Sequence, residues 1–214
     1  FTSFCMSMPI WLREKLFQKN FLFEKLKQHD ENFNDINKIR FSEHHYSHAA
    51  SAFYPSPFKD AVILTLDGVG EWATTTVAVG NNHEIKMLRE IHFPHSIGLL
   101  YSAFTYYIGF KVNSGEYKVM GLAPYGEPKY KNIILKELID LKEDGSFRLN
   151  MEYFNYATGL TMTNEKFSNL FGQKVRNPAK DLLTQFHMDI AASIQLVTEE
   201  IVLKLATSIS KETK

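Results

Sequence analysis

Cysteine is nearly absent from this chain, with Cys5 the only one among its 214 residues. An internal disulfide is therefore impossible and a thiolate metal cluster is excluded, so a reducing compartment fits better than secretion. No apolar run approaches the roughly 20 residues that span a bilayer, and no charged N-terminal segment precedes a short apolar core. We therefore expect a cytoplasmic protein that does not insert into membranes.

Net charge is also absent, because 24 Lys and Arg residues balance 24 Asp and Glu residues. This balance gives no overall attraction to nucleic acid or anionic lipid, so we expect no nucleic-acid partner. Walker-type and Gly-x-Ser-x-Gly motifs, internal repeats and Pro/Gly-rich linkers are missing as well. The length suits one large domain or two small ones.

The pattern of apolar residues predicts an α/β protein. Residues 10–26 show a loosely helical pattern, which favours an amphipathic helix packed on a core over a helix lying on a membrane surface. A second helix should begin near Ser42 and end before Pro55. Three strands then predict an antiparallel meander, at 61–66, 72–79 and 85–91.

The second half of the chain is predicted to be mostly helical, with one further strand. Its predicted elements are a helix from Ser96 to Gly109, a short helix after the loop 113–121, a helix from Pro128 to about Leu141, a strand or hairpin arm at 146–156, and a long helix that opens at Asn177-Pro178. A meander followed by helices indicates a layered α/β domain.

His44 and His48 are four residues apart, so on a helix both rings can bind one divalent cation, whereas His45 faces elsewhere. Alone, such a pair more often reflects ordinary polar packing. Asp67 changes this balance, because a carboxylate at the end of a strand is costly without a cation or several donors. The alternative is a turn-capping aspartate. A His-His-Asp set with open coordination positions suits iron, manganese or zinc.

Two glycine-containing segments could contact a nucleotide. The turn from Gly68 to Gly70 can expose backbone amide hydrogens to phosphate oxygens. Downstream, Lys118 could pair with a phosphate and Glu116 could accept a hydrogen bond from a ribose or base. The alternative for Glu116 and Lys118 is a solvated, charged start of a helix.

Three ordered motifs resemble the NodU/CmcH carbamoyltransferase family. They read HHYSHAASAF at 44–53, LDGVGEW at 66–72 and GEYKVMGLAPYG at 115–126, and MPIWL at 8–12 resembles the family's early helix. The resemblance implies an actin-like, RNase-H-type α/β fold with an antiparallel meander plus helices, incomplete at both ends. Residues 1–214 would then be part of one domain, with a helical lead-in at 1–40, a metal and nucleotide core at 41–126 and a mostly helical remainder at 127–214.

The same resemblance implies an activity. A companion domain in the full-length protein would make carbamoyl-adenylate from carbamoyl phosphate and ATP, and the present domain would pass the carbamoyl group to a hydroxyl of a small molecule. By motif, His44, His48 and Asp67 would be the catalytic metal ligands, with iron(II) the expected metal. Glu116 and Lys118 would line the nucleotide or acceptor side of the cleft. The backbone amides of Gly68 and Gly70 remain the candidates for contact with the nucleotide phosphates.

The resemblance also places some family features outside the chain. An opening strand with a His-Asp pair would precede Phe1, and a Gly-Gly motif, a further aspartate ligand and the companion domain would follow Lys214, so the fragment alone is expected to be inactive. Two alternatives to carbamoyl transfer are an actin-fold kinase or ATPase, which gives the histidines no role, and a non-catalytic binding domain of the same fold.

Overall fold

A three-stranded antiparallel sheet forms the centre of the fold. In the computed structural model, which describes residues 2–213, its strands are β1 (Asp60–Leu66), β2 (Ala73–Asn81) and β3 (Glu84–His92), in that spatial order. β1 pairs with β2 from Asp60 opposite Asn81 to Leu66 opposite Thr75. The predicted meander is confirmed to within two residues at every strand end.

The described residues also form eight α-helices. They are α1 (Thr2–Ile10), α2 (Gln18–His29), α3 (His44–Phe53), α4 (Ile97–Tyr107), α5 (Glu116–Leu122), α6 (Lys131–Ile133), α7 (Glu165–Phe171) and α8 (Gln185–Glu212). A second, two-stranded sheet pairs β4 (Ile139–Leu141) with β5 (Phe147–Leu149). The mixed α/β class is confirmed, and the more specific actin-like fold stays a prediction.

The sheet has a helix layer on each face. On one face, α3 packs through a small apolar cluster of Ala49, Phe53, Ile63 and Ala78. On the other face, β2 contributes Val77 to the main core, together with side chains of α4 and α8. Successive strand residues point to opposite faces, so the adjacent Val77 and Ala78 enter different clusters. β2 is consequently the central, most buried strand.

The main core is rich in aromatic rings. Phe104 and Tyr107 of α4 are fully buried, and each ring centroid lies 5.1 Å from that of Phe167 in α7. These edge-to-face contacts fix α4, whose N-terminus reaches the end of β1. Because the core combines side chains from Val77 to Ile209, the predicted ranges 41–126 and 127–214 share one interior.

The prediction for residues 10–26 is wrong in two respects. The segment consists of α1, a π-helical turn at Trp11–Lys15 and α2, and none of these residues is buried. Trp11, Leu16 and Phe17 each remain more than half exposed. An apolar side of a helix becomes buried only where it meets a partner surface, and these side chains remain largely exposed.

The predicted helix from Pro128 to Leu141 also ends too late. α6 continues as a π-helical turn at Ile134–Leu138, after which β4 and β5 form a hairpin. Ile139 and Leu141 alternate with Asp140, which is the two-residue period of a strand. The strand predicted at 146–156 is confirmed for 147–149 only.

The long C-terminal helix begins later than predicted. Its first residue is Gln185, because the segment at 177–181 forms a turn in which Asn177 N–H donates to the Asp181 carboxylate at 2.8 Å. Leu182, which precedes the helix, is 85% exposed. α8 is 28 residues long, yet within residues 2–213 no helix has the length and apolar character that a membrane span requires.

Candidate metal centre and adjoining cleft

The three predicted metal ligands converge in space. His44 and His48 lie one turn apart on α3, and Asp67 directly follows β1. His44 Nε2 is 2.5 Å from Asp67 Oδ2, while His48 Nε2 is 2.9 Å from His44 Nε2 and 3.4 Å from Asp67 Oδ2. The side chains are 41%, 52% and 32% exposed, respectively, so solvent and small molecules can reach them.

The close contacts among His44 Nε2, His48 Nε2 and Asp67 Oδ2 cannot all be hydrogen bonds at once. A neutral imidazole carries a single N–H, so His44 Nε2 can donate to Asp67 or accept from His48 but cannot do both. A shared cation would resolve this conflict, because two imidazole nitrogens and one carboxylate oxygen are suitable ligands for iron, manganese or zinc. The residues present therefore fit a divalent metal, and their assignment as ligands stays a prediction.

Asp67 is ionised and serves two partners. Partial burial alone would raise the pKa of this carboxyl group, but hydrogen bonds from His44 and from the Gly68 N–H outweigh burial and hold the pKa below its usual value. Oδ1 accepts the Gly68 N–H at 2.6 Å, and Oδ2 faces the histidines. Asp67 thus caps its turn, as the alternative reading predicted, and still presents one oxygen to the histidine pair.

The His45 side chain links α3 to the sheet through hydrogen bonds. Its ring is buried, with Nε2 donating to the Ala73 carbonyl at 2.9 Å and Nδ1 lying 2.5 Å from the Thr65 hydroxyl, which in turn contacts Thr76 at 2.7 Å. Burial lowers the pKa of His45, which keeps the ring neutral. Since His45 faces the sheet, His44 and His48 are directed toward Asp67, and the prediction that His45 faces elsewhere is confirmed.

Glu71 is a site residue that sequence reasoning missed. α3 begins at His44 with Glu43 in the N-cap position, two residues after the predicted start near Ser42. The Glu43 side chain makes no capping bond; both carboxylate oxygens of Glu71 instead lie 3.0 Å from the His44 backbone nitrogen. The two residues are 27 positions apart, so no local sequence signal indicates this contact.

A cleft of about 440 Å³ adjoins the candidate metal centre, and its lining includes Asp67, Gly68 and Glu116. Glu116 begins α5, and its carboxylate accepts hydrogen bonds from the Ser102 hydroxyl at 2.8 Å and from the N–H groups of Asn113 and Gly115. Partial burial alone would raise the pKa of Glu116, but these hydrogen bonds outweigh it and lower the pKa. The carboxylate is therefore ionised and held in place inside the cleft.

The other predicted nucleotide contacts are less favourably placed. The N–H groups of Gly68 and Gly70 already donate to Asp67 and to the Ala73 carbonyl, so a phosphate would have to replace these bonds. Lys118 lies outside the cleft lining, with its ammonium group 5.8 Å from the centre of the Phe110 ring. The structure thus brings Gly68 and Glu116 to the cleft but not Gly70 or Lys118. Nucleotide binding by all four stays a prediction.

Comparison with known proteins identifies the family of this chain. Residues 1–214 match the family described as Carbamoyltransferase N-terminus. The chain belongs to this family. The predicted resemblance to the NodU carbamoyltransferases is thereby confirmed over the whole sequence, well beyond the three motifs that first indicated it.

Relatives of this carbamoyltransferase-family domain include longer proteins from several bacteria. Uncharacterized protein sll1178 of Synechocystis sp. is 61% identical over 211 residues, which cover 98% of this chain and 34% of the relative. Nodulation protein NolNO of Sinorhizobium fredii is 38% identical over 78% of this chain and 23% of its own length. Nodulation protein NolO of Bradyrhizobium diazoefficiens is 33% identical over 74% of this chain and 27% of its own length. The chain thus spans about a third or less of these relatives.

Proposed function

We propose that this domain is the carbamoyl-transferring part of an O-carbamoyltransferase. It would take the carbamoyl group from carbamoyl-adenylate, made by a companion domain from carbamoyl phosphate and ATP, and pass it to a hydroxyl of a small-molecule acceptor. In this transfer the acceptor oxygen bonds to the carbamoyl carbon, the bond from that carbon to the phosphate oxygen breaks, and AMP leaves with the electron pair while the hydroxyl proton passes to solvent.

One observation carries the proposal: the metal-suited donors of His44, His48 and Asp67 adjoin a cleft that contains a second, fixed carboxylate. Membership of the carbamoyltransferase family adds the reaction class. Two relatives are named as nodulation proteins, which is compatible with carbamoylation of a biosynthetic product. The combination of family and site favours catalysis over a purely structural role.

Each residue has a distinct role in the proposed site. His44, His48 and Asp67 would hold a divalent cation, for which we propose iron(II), and this ion would polarise the carbamoyl carbonyl or bind the nucleotide phosphate. Glu116 Oε2 receives one hydrogen bond, from the Gly115 N–H, and so can accept another from a ribose or acceptor hydroxyl. Gly68 lines the cleft beside Asp67, and its lack of a side chain would let a ligand approach the backbone there.

The test uses the full-length protein and three histidine variants. His44→Ala and His48→Ala should each lose bound metal by elemental analysis and lose carbamoyl transfer, with circular dichroism unchanged. His29→Ala is the matched control, because His29 is an exposed residue in the last turn of α2. Unchanged metal content in both site variants would refute the ligand assignment.

The same experiment separates the two alternatives. A kinase or ATPase would turn over ATP without carbamoyl phosphate and would be insensitive to His44→Ala. A non-catalytic binding domain would show no turnover in the full-length protein under any of these conditions. Carbamoyl transfer that requires both carbamoyl phosphate and ATP would support the proposal.

A further inference from the structure

We infer that Glu71 is a positioning residue for the candidate metal centre and acts through the backbone of His44. This inference deepens the proposed function and rests on it. Glu71 contributes no atom to the His-His-Asp set, so its effect would come from fixing where α3 begins.

The contact between Glu71 and His44 occupies the start of the helix. The first N–H groups of an α-helix have no acceptor within the helix, and the helix dipole favours negative charge at this end. Both Glu71 oxygens lie 3.0 Å from the His44 nitrogen, which gives this amide hydrogen a side-chain carboxylate as acceptor. Charge-assisted hydrogen bonds of this kind are stronger than neutral ones. Glu71 therefore anchors the residue that also presents the first imidazole.

The loop that carries Glu71 also carries Asp67. Within this loop, Asp67 N–H donates to the Thr74 carbonyl and Gly70 N–H donates to the Ala73 carbonyl, each at 2.9 Å. One loop thus contacts His44 at two points, its backbone through Glu71 and its ring through Asp67. If the contact between Glu71 and the His44 backbone is removed, the distance between His44 Nε2 and Asp67 Oδ2 should therefore become more variable.

Close packing at Gly70 supports the same conclusion. A Cβ atom at this position would lie 2.8 Å from the ring of His45 and 3.2 Å from the ring of His44, so loop and helix meet without spare room. Gly70 directly precedes Glu71, so this close packing holds the Glu71 carboxylate next to the first residue of α3. A shift of the loop would press against the two histidine rings. Partners outside a coordination sphere that orient a ligand typically contribute about 10–100-fold in metal affinity.

Glu43 provides a matched control. It has the same charge as Glu71 and lies at the same helix end, but its side chain makes no capping hydrogen bond. If negative charge near the helix dipole were the only effect, neutralising either glutamate would change metal binding equally. Positioning by a specific contact instead predicts that only Glu71 matters.

The experiment titrates the metal-free full-length protein with cobalt(II) as a spectroscopic probe and with iron(II) under anaerobic conditions. Glu71→Ala should bind about 10–100-fold more weakly than wild type. Glu71→Gln should fall between the two, since its carbonyl oxygen can still accept from His44, and Glu43→Ala should match wild type. In the metal-free protein, amide hydrogen exchange at His44 should accelerate in Glu71→Ala while exchange in β2 stays unchanged.

Two results would overturn the positioning role: metal affinity in Glu71→Ala equal to that of wild type, or an equal loss in Glu43→Ala. Failure of the proposed function looks different, because wild type itself would then bind neither metal. In that case hydrogen exchange still decides the structural half of the inference. Unchanged exchange at His44 in Glu71→Ala would overturn it.

Discussion

Gly98 packs directly against the backbone of Asp67. A Cβ atom at position 98 would lie 2.6 Å from the Asp67 carbonyl oxygen and 2.8 Å from the Gly68 nitrogen. Gly98 is in the first turn of α4, whose N-cap Ser96 places its hydroxyl 3.0 Å from the Asp67 carbonyl oxygen and 2.7 Å from that of Gly68. Through α4, the aromatic core therefore sets the position of the candidate metal-binding carboxylate.

Gly98→Ala should disturb this arrangement. The added methyl group meets backbone atoms that cannot rotate away, so we expect a loss of about 1–3 kcal/mol in the free energy of unfolding, as for other overpacked sites. Metal affinity should fall too, because Asp67 must shift. Urea denaturation and metal titration measure the two effects.

Gly121→Ala is the control for Gly98→Ala. Gly121 lies in α5 with nothing within 4 Å of an added Cβ, so alanine should stabilise its helix by about 0.5–1 kcal/mol. Equal stability changes in the two variants would contradict the proposed close contact at Gly98.

His45 should make the stability of the protein depend on pH. Burial lowers its pKa below 6.5, the value of an unperturbed histidine, so below pH 6.5 the unfolded chain binds more protons than the folded one. The contribution of neutral His45 to the free energy of unfolding is therefore fully present above pH 6.5 and is lost as the pH falls toward the pKa of His45 in the folded protein. Burial lowers the pKa of His95 and His187 as well, and both add to the same slope.

His45→Leu tests this dependence by urea denaturation at several pH values in the presence of a chelator. At neutral pH the variant should lose about 1–3 kcal/mol, because the two hydrogen bonds from the His45 ring to the Ala73 carbonyl and the Thr65 hydroxyl are lost. Its stability should also decline less steeply than that of wild type below pH 6.5. His29→Leu, an exposed control, should reproduce the wild-type slope. A parallel slope in His45→Leu would show that His45 does not titrate as described.

The sequence was sufficient for features that depend on short-range patterns. Alternating and β-branched residues located all three strands of the meander, and the four-residue spacing of His44 and His48 placed both rings on one helix face. Asp67 was recognisable because a carboxylate beside glycines marks the end of a strand. Each of these signals lies within about one helical turn or one strand of the residue that it describes.

Features that depend on long-range packing could not be predicted. To predict the contact between Glu71 and His44, one would need to know how the whole segment between them folds. The residue at which α3 begins depends on this contact. The pattern at 10–26 resembles that of a packed helix, but burial depends on a partner surface that periodicity does not describe. Similarly, the hydrogen bond from Asn177 to Asp181 moved the start of α8 past Leu182.

Matched phenylalanine truncations test the contrast between the exposed N-terminal helices and the core. Phe104 is fully buried against Phe167 and Phe171, so Phe104→Ala should reduce the unfolding free energy of the 214-residue chain by about 3–5 kcal/mol. Phe21 in α2 is 55% exposed, and Phe21→Ala should change it by no more than about 0.5 kcal/mol. Urea denaturation compares the two directly. A large loss in Phe21→Ala would mean that α2 packs on the core after all, because truncation of a solvent-exposed ring leaves no cavity to destabilise the fold.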